Sequence, residues 1–159
     1  MFGRRTTTLV KSVVIDASAA DIYAFLAEPD NSVGLQPLVI AVEELDRATD
    51  DEGRPTRRYR SIEKFTFLGF IPYRNQIEVT MTLVTKNEVI TNEVHSPANV
   101  YLHSTYTLAP ANGHTAVTET IHIHSPALIA TFVFNTASRA HDTLLANLKA
   151  RFENSACSW

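Results

Sequence analysis

Residues 125–153 read SPALIATFVFNTASRAHDTLLANLKARFE, with no glycine and no proline after Pro126. That pattern predicts one long C-terminal helix. Ser125 is placed to cap it, because a hydroxyl accepts from the orphan N–H groups of a first turn. Pro126 then takes the first helical position, where a missing N–H costs nothing. At 1.5 Å rise per residue the helix would run roughly 40 Å, the width of a small domain. Ala137, Ala140, Leu144, Leu148 and Phe152 recur three or four apart and so share a face. Ala127 to Phe134 is apolar nearly all round, as in a helix that other elements wrap.

The wrapping is found by reading outward. His114–His124 reads as a strand, preceded by an Ala109–Gly113 hairpin loop (APANG). Val100–Leu108, Glu88–His95, Tyr73–Thr85, Thr56–Leu68 and Leu38–Ala48 read as further strands. Between them lie turns at Ser96–Asn99, Lys86–Asn87, Gly69–Pro72 and Thr49–Pro55. Tyr73–Thr85 alternates most cleanly, which predicts one buried and one wet face of an antiparallel sheet. At the front, Thr6–Asp16 reads as a first strand. DASAADIYAFLAEPDN then reads as a short helix, with Ser18 and Asp21 spaced as a capping box. Asn31–Pro37 is a second short helical turn or a loop. Strands in hairpin succession flanked by helices indicate α+β. A seven-stranded antiparallel sheet twists and curls around whatever covers its apolar face, and only the C-terminal helix is long enough.

The chain has 159 residues, 45% of them hydrophobic, which suits one domain over 1–159 with a flexible tail at 154–159. A formal net charge of -3 argues against nucleic acid, since phosphate binding needs a basic surface. The single cysteine, Cys157, cannot form an internal disulfide. Arg4 and Arg5 make a twin arginine, but no apolar run follows. No stretch is long enough to span a membrane, so no stable membrane insertion is expected and the location is read as cytoplasmic.

In this arrangement the sequence resembles the START-like helix-grip superfamily, also called SRPBCC proteins. Within it, the likeness is to the polyketide cyclase/dehydrase and lipid-transport branch. Ile15, Asp16, Ala17, Tyr23, Phe25 and Leu26 match its opening strand, turn and helix. Tyr106, Leu108, Pro110, Gly113, Thr115, Val117 and Pro126 match its closing hairpin and the lead into the final helix. The resemblance implies a helix-grip fold with two short helices after the first strand. It also implies a cavity between curled sheet and long helix. Members bind lipids, sterols, plant hormones or polyketides, and some are cyclases or aromatases.

Inward-facing polar residues are the candidates for chemistry. Tyr59, Ser61, Glu63, Phe65 and Phe67 share a strand face, as do Val117, Glu119, Ile121 and Ile123. His141 lies in the apolar stripe of the long helix. A desolvated Glu drifts toward its neutral form and becomes a possible acid or base, and a neighbouring His could relay its proton. Glu63, Glu119 and His141 are therefore the catalytic candidates. The alternative is that either Glu lies at a rim and pairs with Arg58, Arg60 or Arg74. Tyr59, Phe65, Tyr73, Asn75, Ile77, Met81, Ser104, Tyr106, Phe134 and His141 are the candidate ligand-binding residues. His122 and His124 share a face but no third ligand completes a metal site, and no cofactor is implied. TRRYR, 56–60, is expected to pair with the acids of the preceding TDDE.

Three functions are in view. The first is binding or carriage of a hydrophobic small molecule. The second is a polyketide cyclase, aromatase or dehydratase using those acid–base residues. The third is a protein-interaction module on the same fold. Sparse polar groups inside favour the first.

Overall fold

The computed structural model describes residues 3–67 and 69–155. Cys157, with the rest of 156–159, lies outside the described residues, as does Leu68. The element order is β1 (Arg4–Ile15), α1 (Ala19–Leu26), a 3-10 turn (Pro29–Ser32), β2 (Val39–Thr49), β3 (Pro55–Phe67) and β4 (Ile71–Thr85). There follow β5 (Val89–Ser96), β6 (Val100–Ala111), β7 (His114–Pro126), a second 3-10 turn (Ala127–Ile129) and α2 (Ala130–Ser155). The seven strands form one antiparallel sheet in the order β1-β7-β6-β5-β4-β3-β2. This is the α+β helix-grip arrangement, a curled sheet around a long C-terminal helix. Among the described residues no helix is long and apolar enough to cross a membrane.

Three local expectations are corrected. Ser125 and Pro126 do not open the long helix. They end β7, with Arg5 opposite Ser125 and Arg4 opposite Pro126. Ladder pairing with β1 takes the backbone that a cap would have used, and α2 starts four residues later, after the 3-10 turn. Of the two short helices expected after the first strand, one is α1, capped by the Ser18 hydroxyl accepting from the Asp21 amide at 3.1 Å. The other is only the Pro29–Ser32 3-10 turn. The APANG loop shrinks to two residues, because β6 runs through Ala111 and Asn112 and Gly113 make the turn with φ of 51° and 83°. Asn-Gly accepts two positive φ values, which matches the twist of the flanking strands.

At the other end, α2 continues through Asn154 and Ser155, where a tail was expected to begin. The main core joins α1 (Ile22, Leu26), the sheet (Ile15, Ile90, Leu108, Val117) and α2 (Leu144, Leu148). A second apolar cluster gathers Leu9, Ile121 and Ile123 beneath Val133, Phe134 and Ala137. The buried polar residues Ser61, Ser104 and Glu119 lie on the same strand faces as these apolar side chains.

Candidate functional site

Strand alternation turns Glu119 inward from the middle of β7, where it is 0% exposed. Its carboxylate is held from three directions. The His141 Nδ1 donates to Oε1 at 2.6 Å and the Ser104 hydroxyl to Oε2 at 3.0 Å. The Tyr106 hydroxyl faces the same group, and burial, reinforced by that carboxylate, pushes its pKa well above the usual value. A buried carboxylate is tolerable only when its lone pairs are satisfied in this way.

His141 comes from α2, one turn before Leu144 and Leu145. Burial pulls its pKa down, but Glu119 in contact and Glu63 nearby outweigh burial, so the net shift is upward. Glu63, on β3, is raised as well: burial dominates and the nearby imidazole opposes it only in part. Lys11 sits opposite Glu119 on β1, yet its ammonium goes to Ser138 Oγ at 2.9 Å and Asp142 at 2.8 Å. With Nδ1 committed to Glu119, Nε2 is the ring nitrogen left for another molecule.

Two cavities meet at His141, sharing it with Ile77 and Val94. The larger holds about 400 Å³ and lies between α2 and the β3–β6 side of the sheet. Phe65, Tyr73, Asn75, Ile77, Glu63 and His141 line it, with Phe132, Val133 and Thr136 from α2. Phe65 packs against Tyr73 at 5.3 Å and Phe132 at 6.1 Å, with the rings tilted by 43° and 45°. The smaller, about 110 Å³, is an inner chamber reaching toward the Pro29–Ser32 turn. Tyr59, Met81, Ser104, Tyr106, Glu119 and His141 line that one. The Tyr59 hydroxyl has its pKa pushed up to about 12 by burial, with Ser32 opposing.

Glu63, Glu119 and His141 are thus brought together, and Glu63 lines the larger cavity. Arg58 pairs with Asp46 and Arg60 with Glu43 and Glu78, so the rim pairing is not seen for those two. Nine of the ten residues singled out for ligand contact line one cavity or the other. Phe134 does not; it packs against Leu9, Ile121 and Ile123. The TRRYR arginines do not pair with TDDE either. Hairpin register sets them against β2, while Asp50 and Glu52 take Arg54. His122 and His124 meet the Thr8 and Thr6 hydroxyls on the outer face at 3.1 and 2.9 Å.

Residues 6–153 match the profile of the polyketide cyclase / dehydrase and lipid transport family. The chain belongs to that family.

Solved structures agree on the fold. The Zhui aromatase/cyclase from Streptomyces sp. R1128 superposes with a TM-score of 0.78 at 14% identity, over 97% of this chain and 98% of that one. A protein from Thermus thermophilus gives 0.74 at 14%, over 96% and 100%. A START superfamily protein from Mycobacterium smegmatis gives 0.72 at 16%, over 92% and 97%. At such identities the likeness is one of fold. A search of the curated proteins returns no match.

Among the inward polar groups of this family member that escaped the sequence reading as site residues, three stand out. Ser61 and Asn92 line the inner chamber, and Ser61 Oγ and Asn92 Oδ1 are buried without a partner among the described residues. Ser61 shares its face with Tyr59 and Glu63, and Asn92 alternates with Ile90 and Val94, so the period-two signal was present for both. Arg57 is the third. It is 7% exposed and bridges Glu44 at 2.9 Å, Glu28 at 2.7 Å and the Ala27 carbonyl at 2.9 Å. It ties the end of α1 to the β2–β3 hairpin.

Proposed function

We propose that the protein binds a hydrophobic small molecule, lipid-like or polyketide-like, in the larger cavity, with Glu63 and His141 orienting one of its oxygens. The observation that carries this reading is the cavity itself. It holds about 400 Å³ between α2 and the sheet and is walled mainly by apolar and aromatic side chains. Small-molecule sites have this build: mostly apolar walls and a few convergent polar groups. The family description names both polyketides and lipids. An unfilled interior also weighs against a pure protein-interaction module.

Titration with the fluorescent probe 1-anilinonaphthalene-8-sulfonate tests the reading. Saturable binding is expected, weakened about tenfold or more when Thr136→Trp fills the cavity. Absence of saturable binding, or equal binding by the filled variant, would overturn it.

The 2.6 Å contact between His141 and Glu119 favours a second reading on the same site. A carboxylate that fixes the ring through Nδ1 leaves Nε2 to move a proton, the arrangement required for an acid–base cyclisation or dehydration. With a poly-β-ketone thioester as substrate, His141→Gln would then lower kcat and leave KM nearly unchanged. A carrier would show no turnover in either form.

A further inference from the structure

Antiparallel pairing gathers the start of β1, the end of β3, the start of β4, the end of β5, the start of β6 and the end of β7 at one end of the sheet. The larger cavity opens at this end, where Tyr73, Pro97, Ala98 and Ile129 line it. Around the opening stand apolar side chains that folding leaves in water. Phe70 is 75% exposed and Leu128 77%, with Ile71 at 40%. None of these three lines the cavity, so none is explained by its contents. Turns are ordinarily built from Gly, Pro, Asn, Asp and Ser. Here the turn residue Phe70 is apolar, and the strand ends beside it read FTF over 65–67 and IPY over 71–73.

Charge is sorted along the same axis. Residues 1–15, 64–77, 94–104 and 120–141 contain no Asp or Glu, although the whole chain carries a net charge of -3. Arg4, Arg5, Lys64 and Arg74 are exposed there. Asp16, Asp50, Asp51, Glu52 and Glu88 lie at the opposite end of the strands. Lys64 and Arg74 are direct cross-strand partners, and no hydrogen bond or ion pair is found for either side chain among the described residues. Like charges directly opposite one another are destabilising. An external anion would relieve that repulsion. Arg4 donates to the Asn99 carbonyl at 2.9 Å, which fixes its guanidinium beside the β5–β6 turn.

We propose that this end of the molecule docks reversibly on an anionic lipid surface, with the cavity mouth facing the bilayer. The apolar side chains project from two separate connections around an apolar opening. A membrane interface matches both layers of this pattern: acyl chains for Phe70, Ile71 and Leu128, and anionic headgroups for the four cations. Contact of this depth is adsorption, not spanning. It gives a hydrophobic ligand a path between bilayer and cavity that avoids bulk water. The proposal does not depend on what the cavity holds.

Co-sedimentation with vesicles of phosphatidylcholine, with and without phosphatidylglycerol, tests it. The wild-type protein is expected to sediment with the anionic vesicles and to release as salt is raised. The double variant Phe70→Ser/Leu128→Ser, and separately Lys64→Glu/Arg74→Glu, should each weaken that binding by about tenfold or more. Both variants should take up 1-anilinonaphthalene-8-sulfonate without vesicles as the wild type does, showing that the fold and cavity persist. Failure to sediment with either vesicle would overturn the proposal and leave the rim to a protein partner. Equal sedimentation with neutral and anionic vesicles, or undiminished binding by both variants, would overturn it too. Vesicle binding without dye uptake would instead break the cavity reading and leave the docking standing.

Discussion

Glu119 and His141 are the pair on which the interior turns. Removing one partner of a buried ion pair leaves the other uncompensated, at about 3 to 5 kcal/mol. Glu119→Leu is therefore expected to lower unfolding stability by about 3 kcal/mol in a urea titration near neutral pH. Glu119→Leu with His141→Leu should recover most of that, because an apolar pair of similar volume needs no desolvation. An additive double variant would contradict the pairing.

The pH dependence has a defined sign. His141 and Glu63 both have folded-state pKa values above their ordinary 6.5 and 4.5. Each binds its proton more tightly folded than unfolded. Their contribution is complete below the ordinary value and is lost as pH rises through the raised one. The contribution of each should thus fall with rising pH, from above 4.5 for Glu63 and from above 6.5 for His141. The groups facing the ring are Glu119 on β7, Glu63 on β3 and Lys11 on β1, with Lys11 held by Asp142 of α2 itself. Denaturation across that range on Glu63→Gln and His141→Gln proteins should show a shallower slope in each. Alternation along single strands made Glu63 and Glu119 legible, because one buried face makes every second residue inward. Arg57 obeys the same alternation. Its role was hidden because its partners, Glu28 and Glu44, come from other elements, and only the fold places them.

At the scale of elements, α2 has two unlike halves. Its second half clamps the sheet through Ala140, Leu144 and Leu148, the last 0% exposed. Leu148→Ala should cost about 3 kcal/mol, since a cavity adds to the lost burial. In the turn before α2, Leu128→Ser should stay within about 0.5 kcal/mol, because Leu128 makes no core contact to lose. Paired thermal melts of the two variants check the contrast, and equal losses would contradict it. The helical stripe was readable because spacings of three and four survive any tertiary arrangement. The helix start was not. Ser125-Pro126 is a good cap by local chemistry, and only the distant Arg4 and Arg5 extend the β7 ladder through it. The misread APANG loop has a similar cause: an Asn-Gly pair needs only two residues to turn a hairpin, and Ala109 to Ala111 continue the pairing with β7.

The whole molecule is a container built by geometry. A curled seven-stranded sheet cannot lie flat on one helix, and the gap becomes the cavity of about 400 Å³. The run from β2 to β7 follows from the hairpin succession, so most of the container was legible in the sequence; the place of β1 beside β7 was not, because that pairing joins the two ends of the chain. The volume was not, because it depends on how Phe65, Tyr73 and Phe132 pack against one another. The central claim is that this space holds a hydrophobic small molecule. Native mass spectrometry of wild-type and Thr136→Trp protein, each purified from the source organism, tests it most directly. The account predicts a co-purifying apolar small molecule on the wild type and none on the filled variant. The same adduct at the same occupancy on both proteins would contradict it.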